Sequence, residues 1–253
     1  MIKVIIHGCN GKMGQMIADI CNGDEEVEVA AGIDIADPKN TSYPVFTDIT
    51  ACDVDADVMI DFSTAKAADG VLDYCVSRRL PLVLCTTGLS EAQLQKTEEA
   101  SKEIAVLKSA NMSLGINTLF DLLQKAAKVL APAGFDIEIV ERHHNQKIDA
   151  PSGTALALAD SVNEAMDRAY EYRFDRSTQR KRRDAKEIGI SAVRGGTIVG
   201  EHEVIFAGRD EVIEIKHTAY SRAVFGKGAV EAAKFLAGKE AGYYDMQGVV
   251  AAK

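Results

Sequence analysis

The sequence predicts an α/β protein in which a doubly wound parallel sheet is followed by an α+β domain with a mixed sheet. Short, continuous apolar runs alternate with helical stretches up to about residue 111, which is typical of parallel strands buried on both faces. A glycine-rich turn follows the first apolar run and opens a helix. Beyond that point the runs lengthen and alternate apolar with polar residues, as expected of strands with one exposed face.

The N-terminal half contains five predicted strands: IKVIIHG (2–8), VEVAAGID (27–34), VMIDFS (58–63), LPLVLCTTG (80–88) and IAVLKSAN (104–111). Helices are predicted after the first glycine turn, at about 65–79 and at about 90–102. The carboxyl ends of these strands form the edge where such sheets bind ligands.

The C-terminal half alternates less regularly. Helices are predicted at 116–131, 154–169 and 222–238, and strands at 135–144, 187–195, 197–208 and 211–220. The last two strands are joined by a short Gly-Arg-Asp turn, which predicts an antiparallel hairpin. We expect a dinucleotide-binding domain of residues 1–113, completed by 222–253, and a substrate-binding and oligomerisation domain of residues 114–221.

Composition excludes several classes of protein. The chain has 253 residues and a net charge of −9, which argues against a general nucleic-acid binder. No run approaches the ~20 apolar residues that a membrane span needs. The first residues have the pattern of a strand rather than of a signal peptide. The five cysteines are scattered without CxxC spacing and are expected to be reduced, buried thiols of a cytoplasmic protein.

A glycine-rich turn lies between the first predicted strand and the first helix. Gly8, Gly11 and Gly14 occur in GCNGKMG, with Gly-x-x-Gly-x-x-Gly spacing rather than the commoner Gly-x-Gly-x-x-Gly. Glycines here permit a tight turn and let backbone N–H groups approach a pyrophosphate at the helix N-terminus. Asp34 ends the second strand, where a carboxylate can accept hydrogen bonds from a ribose diol. Together these features predict a Rossmann-like dinucleotide-binding domain.

The residues around Asp34 bear on the choice between NADH and NADPH. Asp34 is followed by Ile35 and Ala36 rather than by an arginine, so a 2′-phosphate would meet a carboxylate without an adjacent guanidinium. Lys12 and Lys39 are the nearest candidate cations. The sequence therefore slightly favours NADH and leaves NADPH open.

Two further loops follow predicted strands at the same edge of the sheet. They are CTTG at 85–88 and SANM at 109–112, and their small hydroxyl and amide side chains suit a nicotinamide carboxamide. Ordinary turn chemistry explains either tetrapeptide equally well. Both interpretations stay open at this point.

The segment ERHHNQKIDAPSGTA concentrates titratable nitrogen side chains. His143 and His144 end a predicted strand, and Lys147 follows in the turn before a helix. The backbone N–H groups of Gly153 and Thr154 lie at the positive end of that helix, a site suited to a carboxylate. Lys147 adds a cation, and either histidine a proton donor near neutral pH. The segment predicts a pocket for a small polyanion that must receive a proton.

A metal site and a basic surface loop that caps the helix are the two alternatives to this interpretation. A metal site is disfavoured because adjacent histidines without a supporting carboxylate or cysteine are a poor ligand set, so no metal ligand is predicted. The one strongly basic run, YRFDRSTQRKRRDAKE, could bind nucleic acid, but in an acidic chain a solvated loop is the commoner case.

The chain resembles the dihydrodipicolinate reductase (4-hydroxy-tetrahydrodipicolinate reductase) family. The resemblance is carried by ERHHNQKIDAPSGTA, which is highly specific to that family, and by GCNGKMG, CTTG, SANMSLGIN, VRGGTIVGEH and FGKGAVEAA. It runs from about residue 2 to residue 250. It implies a two-domain, homotetrameric, cytoplasmic enzyme of the diaminopimelate route to lysine that uses NADH or NADPH.

The resemblance also implies roles for individual residues. His143 corresponds to the catalytic proton donor and acceptor, and Lys147 to the proton-donating lysine; His144, Gly153 and Thr154 correspond to contacts with a small dicarboxylate substrate. The implied cofactor contacts are Gly8, Cys9, Asn10, Gly11, Lys12, Met13, Asp34, Cys85, Thr86, Thr87, Ser109, Ala110, Asn111 and Met112. The implied reaction is hydride transfer to C4 of a cyclic imine dicarboxylate, followed by protonation of C3.

Two other functions remain as alternatives. A non-catalytic redox sensor could bind NAD(H) through the first domain, but it would need no proton-donating pair. A different reductase on the same two-domain plan could act on an aldehyde or an amino acid.

Overall fold

The structure is a computed structural model that describes residues 1–36 and 41–253. The chain forms two compact units. One comprises Met1–Leu114 and Ala223–Lys253, and the other comprises Gly115–Arg222.

Twelve strands and seven α-helices are formed by the described residues. The strands are β1 Ile2–His7, β2 Val27–Ile33, β3 Val45–Phe46, β4 Val58–Asp61, β5 Leu82–Leu84, β6 Ala105–Lys108, β7 Asp136–His143, β8 Glu171–Arg173, β9 Glu187–Arg194, β10 Gly200–Ala207, β11 Val212–Ala219 and β12 Gly242–Tyr244. The helices are α1 Lys12–Asn22, α2 Ala68–Arg78, α3 Glu91–Ala100, α4 Leu114–Leu130, α5 Gly153–Glu164, α6 Ala223–Leu236 and α7 Met246–Ala251.

The first unit is a doubly wound parallel sheet, as predicted. Its strand order is β12-β6-β5-β4-β1-β2-β3, and every neighbouring pair is parallel. In β1, Val4 and Ile6 face a core formed with α1, α6 and α7, whereas Ile5 faces a second core formed with α2 and α3. The chain proceeds outward in opposite directions from β1 and β4, so the ligand crevice is expected at the carboxyl ends of these two strands.

Three elements of this unit were not predicted: β3, β12 and α7. The two strands have two and three residues, too few for a periodic pattern to stand out, and both lie at the sheet edges. The predicted strand at 80–88 is also shorter than expected, since β5 ends at Leu84 and the following residues leave the sheet as a loop.

The second unit contains the predicted mixed sheet, with strand order β11-β10-β7-β9-β8. Strand β10 pairs antiparallel with both β11 and β7, whereas β9 pairs parallel with β7 and β8. The hairpin of β10 and β11 confirms the prediction from the Gly-Arg-Asp turn. Apolar residues of α4 and α5, among them Leu123 and Leu158, pack with Ile137 and Phe206 of the sheet to form one core.

The buried face of strand β7 is apolar in its first half and polar at its end. Its residues are alternately buried and half-buried, and Ile137, Ile139, Glu141 and His143 are the buried ones. The first two pack against apolar neighbours. The hydrophobic face of the strand therefore ends with the carboxylate of Glu141 and the imidazole of His143.

Helix α5 ends earlier than predicted, at Glu164 rather than near residue 169. The side chain of Asn163 closes the turn that follows, since its Nδ2 donates to the Tyr170 carbonyl at 2.9 Å and its Oδ1 accepts from Tyr170 N–H at 3.0 Å. Asp167 and Arg168 between them have positive φ angles of 56°. This local side-chain bonding outweighs the helical pattern of the sequence.

The basic run at residues 172–187 is partly held by ion pairs with strand β7. Arg183 donates to the carboxylates of Asp136 at 2.7 Å and Glu138 at 3.0 Å, and only 17% of its side chain is exposed. Arg176 also pairs with Glu138, at 2.9 Å. The acidic outward residues of β7 therefore neutralise part of the run, while most of its other residues are exposed.

Candidate active site

The glycine turn of the first unit has the geometry of a phosphate-binding loop. Gly8 has a φ of +82°, a left-handed conformation that favours glycine, and a Cβ there would lie 2.7 Å from the Phe62 carbonyl oxygen. A Cβ at Gly14 would overlap the Gly8 carbonyl oxygen. Gly11 is the N-cap of α1, so the loop leads directly into the helix N-terminus. This geometry is the one expected of a loop that binds a pyrophosphate at a helix N-terminus.

The Asp34 carboxylate is held beside this loop. Its Oδ2 accepts from the backbone N–H of Asn10 at 2.9 Å, and its Oδ1 from the N–H of Ala36 at 3.0 Å. Each oxygen keeps lone-pair capacity for a ribose hydroxyl. A cavity of about 360 Å³ adjoins the carboxylate and is lined by His7, Gly8, Gly11, Asp34, Ile35, Phe62, Ser63, Thr64 and Ala67. Lys39, one of the two candidate cations for a 2′-phosphate, lies outside the described residues.

A buried carboxylate that the sequence analysis missed joins the strand ends around this cavity. Asp61 Oδ1 lies 2.6 Å from both His7 Nδ1 and Ser63 Oγ, and its Oδ2 accepts from Thr86 Oγ1 at 2.6 Å. Lys108 Nζ donates to the Thr86 carbonyl at 3.0 Å, and burial lowers the pKa of Lys108. The available signal was the aspartate that ends the otherwise apolar run VMID.

The other predicted cofactor residues differ in what they can offer. Cys9, Cys85 and Met112 are buried core side chains, so they can contribute backbone groups rather than side-chain contacts. Ser109 and Asn111 form a turn in which Ser109 Oγ donates to the Asn111 carbonyl at 2.9 Å. The remaining predicted residues are Lys12 and Met13 in the first turn of α1, partly buried Asn10, exposed Thr87, and Ala110 in the turn.

In the second unit, the carboxylate of Glu141, two residues before His143, binds three neighbouring residues. His143 Nδ1 lies 2.6 Å from Glu141 Oε2, and Arg194 binds the same carboxylate through both terminal nitrogens, at 2.7 Å and 2.6 Å. The backbone N–H of Ser152 donates to Glu141 Oε1 at 2.9 Å. Glu141 thus supplies His143 with a carboxylate partner from the same strand face.

These contacts set the protonation of the pair. Burial lowers the pKa of His143, although the hydrogen bond to Glu141 opposes this effect. Burial by itself would raise the pKa of Glu141, but hydrogen bonds from Arg194, His143 and Ser152 lower it overall. At neutral pH the carboxylate is therefore ionised and the imidazole is mostly neutral.

Lys147 and the start of α5 form the second part of this site. Lys147 Nζ lies 2.8 Å from Asp149 Oδ1. Contact with Lys147 is the largest cause that lowers the pKa of Asp149, and the backbone N–H of Gly153 makes the smallest contribution. The cation is therefore paired with a carboxylate of the chain itself, just before the N-terminus of α5.

The remaining predicted substrate residues occupy the same segment. His144 follows the last residue of β7 and is partly exposed, and Thr154 lies in the first turn of α5. The helix is capped by Ser152, whose Oγ accepts from Ala155 N–H at 3.1 Å and lies 3.0 Å from His202 Nε2. His202 on β10 is buried, and its ring meets that of His143 edge-on with 5.0 Å between centroids.

The structure describes residues 1–36 and 41–253. Within these residues, no group of three or more His, Cys, Asp or Glu side chains could hold a metal ion. No helix there has both the length and the apolar character needed to cross a membrane.

Comparison with known proteins connects both units to one family. The family model for the N-terminus of dihydrodipicolinate reductase matches residues 2–112, and the model for its C-terminus matches residues 115–250. The chain is 54% identical over 253 residues to the 4-hydroxy-tetrahydrodipicolinate reductase of Caldanaerobacter subterraneus subsp. tengcongensis, covering 99% of this chain and 98% of that protein. It is 49% identical to the Clostridium novyi enzyme of the same name, with 100% of both chains covered.

A solved structure has the same fold. The dipicolinate-bound dihydrodipicolinate reductase from Paenisporosarcina sp. TG-14 superposes with a TM-score of 0.81 at 24% sequence identity, covering 97% of each chain. This agreement confirms the predicted combination of a Rossmann-like sheet and a second unit with a mixed sheet.

Proposed function

The chain belongs to the dihydrodipicolinate reductase family of NAD(P)H-dependent oxidoreductases, and from this premise we propose its reaction and the residues that perform it. The chain reduces 4-hydroxy-tetrahydrodipicolinate, by way of dihydrodipicolinate, to tetrahydrodipicolinate in the diaminopimelate route to lysine. A hydride is added at C4 and a proton at C3.

The observation that carries this proposal is the ion pair of Lys147 with Asp149, just before the N-terminus of α5, together with the His143–Glu141 pair of the same segment. A cyclic imine dicarboxylate needs both kinds of group, because its carboxylates require cationic partners and its reduced form requires a proton. Neither a non-catalytic sensor nor an aldehyde reductase would need a dicarboxylate clamp beside a proton donor.

The first unit is assigned to the cofactor. The cradle of Gly8, Gly11 and Gly14 supports binding of a pyrophosphate, and Asp34 supports binding of a ribose diol. When bound there, the reduced nicotinamide supplies the hydride. The ionised Asp34 would repel a 2′-phosphate, which favours NADH slightly over NADPH.

The second unit is assigned to the substrate. We assign one substrate carboxylate to Lys147 and to the backbone N–H groups of Gly153 and Thr154, with His144 as a further contact. Lys147 is the proton donor to C3, since an ammonium carries a proton at neutral pH. Neutral His143 presents a ring nitrogen that can accept and return a proton close to this cation.

We also propose that the enzyme is a cytoplasmic homotetramer assembled through the second unit. The five free, buried cysteines support a reducing compartment. The edge strand β11 supports self-association, because an exposed edge and the apolar residues Val212 and Ile213, 56% and 38% exposed, favour pairing with another copy.

The test is consumption of NADH with freshly prepared product of the condensation of pyruvate with aspartate semialdehyde. We expect turnover that requires this substrate and is inhibited by dipicolinate. A redox sensor would bind NADH without consuming it, and a different reductase would consume NADH only with an aldehyde or an amino acid. Either result would contradict the proposal.

A further inference from the structure

Glu141 is a buried carboxylate whose hydrogen-bonding capacity is fully used. It has no exposed surface, and each of its oxygens accepts two hydrogen bonds. Oε1 accepts from Arg194 Nη2 and Ser152 N–H, and Oε2 accepts from Arg194 Nη1 and His143 Nδ1. A carboxylate offers about four lone-pair positions. Three of the four donors are therefore groups other than the histidine, and they hold the carboxylate in place independently of it.

The topology of the sheet brings these groups together. Glu141 and His143 are two residues apart on the buried face of β7, and Arg194 is the last residue of β9, in register opposite His143. Ser152 is the N-cap of α5. Arg194 Nη2 also donates to the Asp149 carbonyl at 2.6 Å. The Glu141–Arg194 pair thus connects the histidine to the loop that carries Lys147.

The pair also determines where His143 carries its proton. An ionised carboxylate can only accept, so His143 Nδ1 must be the protonated nitrogen, and Nε2 of the neutral ring keeps its lone pair. Among the described residues, none hydrogen bonds to Nε2. Gly200 lies against this atom, and a Cβ at that position would come within 3.1 Å of Nε2. A side chain at position 200 would therefore crowd the reactive nitrogen, which glycine leaves free of such a contact.

The charges around His143 come from every element packed against it. Glu141 on β7 favours the imidazolium, whereas Arg194 on β9 and Lys147 in the loop disfavour it. His202 on β10 is neutral, with a pKa lowered to about 3 by burial first and by the charge of His143 second. Because Arg194 neutralises Glu141, the carboxylate orients the ring without making it a permanent cation.

We propose that Glu141 and Arg194 are positioning residues for the reduction, which together hold His143 as a neutral ring protonated on Nδ1 and fix the loop of Lys147 beside it. This inference rests on the proposed function, since it gives His143 its part in the proton transfer. Neither residue is predicted to touch the substrate.

The first test measures the imidazole directly, by ¹⁵N NMR of the full-length wild-type protein without ligands. We expect the His143 spectrum at pH 7.5 to be that of the neutral Nδ1–H tautomer. An Nε2–H tautomer or an imidazolium at this pH would overturn the proposal. Because this measurement needs no substrate, its outcome does not depend on whether the proposed function is correct.

The second test uses Arg194→Gln and Glu141→Gln, with Arg142→Gln as the matched control. Arg142 precedes His143 but pairs with Glu201 and Glu203 on the opposite face of β7. We expect Arg194→Gln to raise the His143 pKa by about one unit or more, and Glu141→Gln to lower it. The control should leave it unchanged.

The kinetic readout separates positioning from a merely structural role. Arg194→Gln should shift the acid limb of the kcat profile to higher pH by the same amount as the NMR titration, and Glu141→Gln should lower kcat about tenfold or more with an unchanged Kd for NADH. Unshifted titrations and profiles in both folded variants would overturn the proposal. If the wild-type enzyme itself failed to reduce the substrate, the proposed function would fail instead, while the titrations would still judge the pair.

Discussion

The ammonium of Lys147 lies 2.8 Å from the carboxylate of Asp149, two residues further along the same loop. The backbone N–H of Gly153 makes a small contribution to the lowered pKa of that carboxylate. Asp149 therefore occupies the position that we assign to a substrate carboxylate. Its side chain is 57% exposed, so an incoming dicarboxylate can replace it without opening a core.

Replacement of Asp149 by asparagine should strengthen dicarboxylate binding. The variant removes the competing charge from Lys147, and an exposed ion pair is worth at most about 1 kcal/mol, so the Kd for dipicolinate should fall up to about fivefold. Calorimetric titration in the presence of NADH measures this change. Asp210→Asn, in the exposed turn between β10 and β11, changes the charge equally and should have no effect. Weaker binding by Asp149→Asn would show that the aspartate assists the substrate rather than competing with it.

Replacing the proton-transfer residues should lower turnover without weakening cofactor binding. We expect His143→Ala and Lys147→Ala each to lower kcat by ~10²-fold or more, the usual scale for a lost acid–base group. The Kd for NADH, measured by fluorescence titration, should remain that of the wild type, because both residues belong to the second unit. Near-normal turnover in both variants would refute the assigned roles.

NADH should be used at least as well as NADPH. The ionised Asp34 accepts hydrogen bonds from a ribose diol but repels a 2′-phosphate. Measurement of kcat/KM with both cofactors tests this expectation, and Asp34→Ala should reduce the value for NADH more than that for NADPH. A strong NADPH preference in the wild type would contradict it and would direct attention to Lys12 and Lys39.

The second unit should lose stability as the pH falls. Burial lowers the pKa of His202 to about 3, from an unfolded value of about 6.5, so protonation favours the unfolded state. Because the pKa of His202 is lower in the folded state than in the unfolded state, its stabilising contribution is complete above pH ~6.5. That contribution is lost as the pH falls from there to ~3. The free energy of unfolding should fall by up to about 1.4 kcal/mol per pH unit in this window.

His202→Asn removes this titration. Urea unfolding of the wild type and the variant at pH 8 and pH 5 should give a pH-dependent loss that is about 2 kcal/mol smaller in the variant. Equal losses in the two proteins would mean that His202 titrates normally in the folded state.

The buried Asp61 cluster should contribute to the stability of the first unit. Thr86→Val removes the hydroxyl that donates to Asp61 Oδ2 at 2.6 Å, which should cost about 1 to 3 kcal/mol because the carboxylate is left under-satisfied. The neighbouring Thr87→Val is the matched control, since Thr87 is exposed and its replacement should change stability by less than about 0.5 kcal/mol. Chemical denaturation followed by circular dichroism provides the comparison.

Local signals in the sequence were sufficient for most of the fold. The continuous apolar run of β1, the glycine turn before α1 and the alternation of β7 each depend on neighbours within one element, and each was predicted with ends close to those observed. Predictions were less accurate where a side chain competes with the periodic pattern, as Asn163 does after α5. They also missed three short edge strands, β3, β8 and β12, whose existence depends on pairing with a neighbour.

The sequence by itself determined the family, the cofactor loop and the segment that carries His143 and Lys147, because these depend on residue types at fixed spacing along the chain. Only the tertiary structure decided which groups support them. Arg194 reaches Glu141 across 53 positions, and Thr86 reaches Asp61 across 25, because parallel pairing places the ends of adjacent strands side by side. Spacing along a chain does not encode which strands become neighbours, so the partners of the buried carboxylates could be identified only once the sheets had formed.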